Sequence, residues 1–149
     1  VPAVVAMVHE LADYQRAPDQ CHLTEEQLHA ALFAERPALF GHVALDPDGT
    51  PIGFALWFLS FSTWRGVHGI YLEDLYVRPS ARGTGAGRRL LATLAAICVQ
   101  RGYQRLNWAV LDWNPARGFY HAIGAGPVDE VVPYVLTGEG LIALARHAG

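Results

Sequence analysis

Lysine is absent from the 149 residues. All 11 basic side chains are arginine, set against 14 carboxylates, and the formal charge is −3. A chain of that balance presents no basic field to nucleic acid, so a nucleic-acid partner is not expected. Without lysine there is also no Walker-type phosphate loop, which needs an ammonium on the nucleotide phosphates. Cysteine is scarce. Cys21 and Cys98 lie far apart and neither belongs to a CxxC pair. That excludes a disulfide framework and makes a reducing, cytoplasmic setting the expectation. The seven histidines are scattered, with no HExxH pattern, and no metal site is expected. No apolar run approaches the roughly 18 residues of a membrane span, and the first residues do not read as a secretory leader, so no membrane partner is expected.

What is present is apolar surface to bury. Hydrophobic residues make up 52% and charged ones 17%, enough for one globular domain spanning residues 1–149. Val4, Val5, Val8, Leu11 and Ala12 recur at helical spacing, with Pro2 tolerated in a first turn. Thr24 and Gln27 predict a capping box, and Leu28, Ala31 and Leu32 give the helix behind it a buried face. The period then shortens. "LFGHVAL" reads as a strand and "DPDG" as a turn. "PIGFALWFLSF" reads as a strand covered on both faces. "GIYLEDLYV" is a further strand, interrupted by Glu73 and Asp74, which alternation puts on opposite faces.

A helix follows from about Gly85, with Leu90, Leu91, Leu94, Ile97 and Cys98 as its core stripe and Gly102 as its stop. "QRLNWAVL" predicts a strand and "PARGFYHAI" a short helix, with Pro115 in its first turn and Gly124 past its end. "VDEVVPYVLT" predicts a last strand and "GLIALARHA" a small terminal helix. This order implies an α/β domain: a central sheet with helices on both faces.

The stretch "RGTGAGRR", from Arg82, places three glycines where that long helix begins. A Rossmann fingerprint fails, because the third glycine position is Arg88 and Pro79 precedes the turn. The pattern R-x-x-G-x-G is met by Arg82, Gly85 and Gly87. A first helical turn carries unpaired N–H groups and partial positive charge, which suits a pyrophosphate. Missing side chains at Gly83, Gly85 and Gly87 let phosphate reach backbone, and Arg82 and Arg88 add charge-assisted bonds. The competing reading is a surface turn with solvated arginines.

"LEDLYVRPSARGTGAGRRLL" resembles the acetyl-coenzyme-A-binding motif of the GNAT superfamily of N-acetyltransferases. "WNPARGFYHAIGA" is similar to that superfamily's following helix, which carries a tyrosine. With "YLEDLYV" and "HELADY…LTEEQL", the resemblance is closest to the spermidine/spermine and thialysine N-acetyltransferase branch. It implies a mixed, twisted sheet that splays between the "YLEDLYV" and "LNWAVL" strands, where the pantetheine arm enters. The family's usual first strand is expected to be absent from this chain.

The resemblance also implies roles. Acetyl-coenzyme A is the donor, held by Arg82, Gly83, Thr84, Gly85, Ala86, Gly87 and Arg88, by the backbone of Leu75, Tyr76 and Val77, and by Asn114 and Arg117. Asn114 stands one residue closer to the tyrosine than is usual. Tyr120 is the general acid for the departing sulfur, and Glu73 steers or deprotonates the acceptor amine. Glu73, Asp74, Trp64 and Glu130 are expected at the acceptor. That acceptor is a small-molecule primary amine of the diamine, polyamine or thialysine-like class, and the enzyme is expected to be a homodimer. Two alternatives stay open: a protein or peptide acetyltransferase, and a non-catalytic domain that senses acetyl-coenzyme A.

Overall fold

The structure, a computed structural model, describes residues 1–148. They divide into two compact units, Val1–Ala109 and a second from Val110 onward. The first contains helix α1 (Pro2–Tyr14), helix α2 (Glu25–Phe33), strands β1 (Phe40–Leu45), β2 (Pro51–Ser62) and β3 (Val67–Val77), helix α3 (Ala86–Arg101) and the two-residue strand β4 (Leu106–Asn107). The second contains α4 (Ala116–Ala122) and α5 (Gly138–Ala145).

Local chemistry sets several boundaries. The capping box at α2 forms as its sequence predicts: Thr24 Oγ1 accepts from the Gln27 amide at 3.2 Å, and the Thr24 amide donates to Gln27 Oε1 at 3.0 Å. α3 ends where Gly102 turns left-handed at φ 75°, which a residue without Cβ adopts freely.

The sheet runs β1-β2-β3-β4, antiparallel except for the parallel β3–β4 pair. One face packs on α1 and α2: Phe54, Leu56 and Tyr76 meet Val4, Met7, Leu11 and Leu28. On the other face Leu90, Leu91, Leu94 and Cys98 of α3 are buried, as their spacing predicts. β2 departs from its expected double coverage. It is buried on both faces only over Gly53–Trp57, and past Phe58 burial alternates.

Two features of β3 position the candidate site. First, its register against β2 slips by one. Leu56 faces Asp74 and Trp57 faces Leu72, so Glu73 is an extra residue with no partner, a β-bulge. The bulge cancels one alternation. Asp74 therefore shares the α1-side face with Tyr71, Leu56 and Phe58, while Glu73 is exposed. Second, β4 pairs with β3 only through Ile70–Leu106 and Tyr71–Asn107. Beyond Tyr71 no residue of β4 pairs with β3, and it is there that the splay is expected.

The strand expected over "VDEVVPYVLT" does not form. Val128, Val131, Val132, Tyr134 and Val135 are all more than 60% exposed, and residues 131–137 lie in no element. Strand propensity there finds no partner to pair with. The strand expected over "QRLNWAVL" is likewise cut to Leu106–Asn107. At the opposite edge of the sheet, a cavity of about 470 Å³ follows the free side of β1 between Val4 and Leu32 on one face and Trp57 and Ile97 on the other.

Candidate active site

In the first unit, three groups of predicted residues cluster around the end of β3 and the start of α3. The connection runs through a 3₁₀ turn, Pro79–Ala81, into the glycine stretch. Gly83 and Gly85 take φ of +83° and +85°, the left-handed region where a Cβ is strained. Space above both is open: a Cβ built on either meets no atom within 4 Å. The glycines are thus required by backbone twist, and the twist leaves bare backbone facing outward. Thr84 Oγ1 ties the loop down by donating to the Ala81 carbonyl at 2.6 Å. α3 begins at Ala86 with Gly85 as N-cap and no side-chain cap, so its first amides have no partner inside the helix.

That geometry fits a diphosphate. Exposed amides, a helix N-terminus and open glycines are all at hand, with Arg88 exposed in the first turn. Arg82, though exposed, is tied back to the strand. Its Nε donates to the Val77 carbonyl at 3.2 Å, and its guanidinium lies 5.0 Å from the Tyr14 ring centre and 6.0 Å from that of Tyr76. Leu75 and Val77 are half-buried and Tyr76 is buried, so what they offer along the open edge is backbone.

The carboxylates differ as their places dictate. Asp74 is half-buried, and burial raises its pKa from 3.8 to about 6, with the neighbouring Glu73 charge adding to the rise. Among the described residues no cation is paired with Asp74; the ion pair near this end of β3 is Arg78 with Glu10, at 3.3 Å. Sequence reasoning gave the base role to Glu73. The carboxylate that burial holds protonated to higher pH is Asp74, at about 6, and the bulge decides which face it takes. Trp64 stands at the β2–β3 turn, 98% exposed, at the end of β3 far from the bulge.

In the second unit, Tyr120 lies on α4 with its ring 5.6 Å from that of Phe119. Burial raises its phenol pKa above 10.0. Asn114 precedes this helix, its Oδ1 accepting from the Ala116 amide at 2.9 Å, which leaves its amide nitrogen as the other end available. Arg117 folds back to the Asp112 carbonyl at 3.1 Å. Glu130 is exposed, with a left-handed φ of 68°. Among the described residues no cluster of His, Cys, Asp or Glu is arranged to hold a metal, and no helix is long and apolar enough to cross a membrane.

A mixed sheet splayed beside a bulged strand, running into a glycine-rich helix start, defines an acyl-coenzyme-A-dependent transferase fold. The profile of the acetyltransferase (GNAT) family matches residues 4–125, and the chain belongs to that family. It is an acetyl-coenzyme-A-dependent N-acetyltransferase. It is 38% identical to a thialysine N-epsilon-acetyltransferase of Bos taurus over 85% of this chain and 79% of that protein. It is 28% identical to an L-ornithine N5-acetyltransferase of Arabidopsis thaliana over 98% of this chain and 84% of that one. Among solved structures, an integron cassette protein from the mobile metagenome of V. cholerae superimposes with a TM-score of 0.78 at 33% identity, covering 96% of this chain and 90% of that one.

Proposed function

We propose that this enzyme acetylates a primary amine of a small molecule, of the diamine, polyamine or thialysine-like amino acid class. The observation that carries the reading is Asp74: a half-buried carboxylate on the β3 strand, next to the bulge, with no cation paired to it among the described residues. An uncompensated buried charge is costly unless a partner arrives. An ammonium-bearing acceptor is such a partner, and the thialysine and ornithine relatives act on molecules of that kind.

The roles follow from what the reaction demands. An alkyl ammonium, with a pKa of about 10.4, must lose its proton before its nitrogen can attack. Glu73, exposed on the bulge, steers that amine and takes its proton, directly or through water, while Asp74 anchors the acceptor. The amides of Leu75, Tyr76 and Val77 donate to the carbonyl oxygen as it gains charge. Tyr120 keeps its phenol proton at neutral pH and gives it to the departing sulfur. Acetyl-coenzyme A supplies the acetyl group as a thioester. The backbone from Gly83 to Arg88 binds its phosphates.

A panel of small amines, assayed for free thiol release, tests the proposal. Steady release is expected with at least one diamine or ω-amino acid. Release with peptide amines only, or with no amine, would overturn it. The phosphate loop has its own test. Valine at Gly85 is strained by about 1–2 kcal/mol in the left-handed region, so Gly85→Val is expected to weaken acetyl-coenzyme A binding about tenfold by titration calorimetry. An unchanged Kd would remove the loop from the binding surface.

A further inference from the structure

We propose that Asn107 is a positioning residue for the acceptor, its carboxamide oxygen receiving an N–H group of the amine's chain while Asp74 holds a second nitrogen. The inference rests on the small-amine reading above and gives it a substrate preference. The Oδ1 atom of Asn107 is buried and accepts no hydrogen bond. A buried acceptor left unpaired is unusual and calls for a partner. Its place in the sheet says which. Asn107 pairs with Tyr71 at the last rung before β4 leaves β3, so it marks the closed end of the splay. Paired residues of a ladder share a face. Asn107 is therefore on the face of Tyr71, and the Glu73 bulge puts Asp74 on that face too.

Tyr71, beside Asn107 and on the same strand as Asp74, adds an aromatic ring to this face, with Phe58 one strand further on at 5.1 Å between ring centres. From strand spacing, the backbones at Asn107 and Asp74 are about 8 Å apart. An amide oxygen and a carboxylate carried by backbones so spaced, beside an aromatic ring, suit a short aliphatic chain bearing N–H groups at two points. A monoamine satisfies one of them and leaves the other acceptor unpaired.

The test uses the full chain and free-thiol release, comparing a four-carbon diamine with the monoamine of equal length. Asn107→Leu removes the acceptor at similar volume. It is expected to raise KM for the diamine about ten- to hundredfold, with kcat within a few-fold of the wild type. KM for the monoamine and for acetyl-coenzyme A should stay put. Asn107→Asp keeps the shape and adds charge. It is expected to lower the diamine KM and to make it more sensitive to salt. An unmoved preference for diamine over monoamine in a folded Asn107→Leu protein overturns the assignment. Should that variant not fold, an unchanged diamine KM in Asn107→Asp does the same. Wild-type enzyme that acetylates no amine overturns the small-amine reading itself, and this inference with it.

Discussion

Replacing Asp74 with asparagine is expected to make the protein more stable at neutral pH and to cripple it as an enzyme. The sign follows from proton linkage. The folded-state pKa of Asp74 is raised from 3.8 to about 6, so the native state holds that proton more tightly than the unfolded chain does. Below about pH 3 both states are protonated and the group has no effect. As pH rises towards 6, the unfolded chain sheds the proton first and stability falls. Above 6 the ionised carboxylate costs the fold up to about 3 kcal/mol, taking 1.36 kcal/mol for each pH unit between the two values. Asparagine has the same shape and no charge. Asp74→Asn should therefore raise the melting temperature at pH 7.5 by several degrees and leave it nearly unchanged near pH 3.

The same substitution removes the anchor for the acceptor's positive charge. kcat/KM for the amine is expected to fall about a hundredfold, while Kd for acetyl-coenzyme A holds. In wild-type enzyme, kcat/KM should decline as pH drops through about 6, and the variant should lack that acid limb. A variant that is destabilised at pH 7.5, or that acetylates at the wild-type rate, would show that Asp74 is structural.

The parts of the fold fixed by neighbouring residues were readable from sequence. The Thr24–Gln27 box, the α3 stripe and the Gly102 stop each depend on residues within a turn or two, and each appears as expected. The glycine stretch was equally readable, because left-handed φ at Gly83 and Gly85 is a local requirement. What failed depends on distant pairing. A bulge in this strand is implied by the family resemblance alone: nothing in "YLEDLYV" says that Leu56 will sit opposite Asp74, the register that fixes it at Glu73. The strand expected over "VDEVVPYVLT" had the right residues and no ladder to join. Arg82 and Arg117, expected at the cofactor, each donate to a backbone carbonyl nearby, a contact the sequence does not show. Long side chains choose between ligand and local acceptor by geometry that composition does not encode. Asn107 escaped notice for a related reason: a lone asparagine in an apolar strand carries no pattern, and only its buried, unpaired oxygen draws attention.

Tyr120→Phe is expected to lower kcat by one to three decades with acetyl-coenzyme A binding unchanged. The substitution removes one hydroxyl and keeps the ring that lies against Phe119, so the loss of stability should stay near 1 kcal/mol. Burial holds the phenol protonated beyond its ordinary value of 10.0, which makes it a reliable proton source across the working pH range. A proton donor matters only as much as its acceptor needs the proton. An aliphatic thiol, with a pKa of about 8.5, is a reluctant leaving group; an aromatic thiol is much less so. The gap between wild type and Tyr120→Phe should therefore shrink several-fold when the acetyl donor is an aryl thioester. A role in packing or in binding the donor would lower both rates by the same factor. A constant ratio across the two donors would thus end Tyr120's claim to be the acid, even if the variant proved slow.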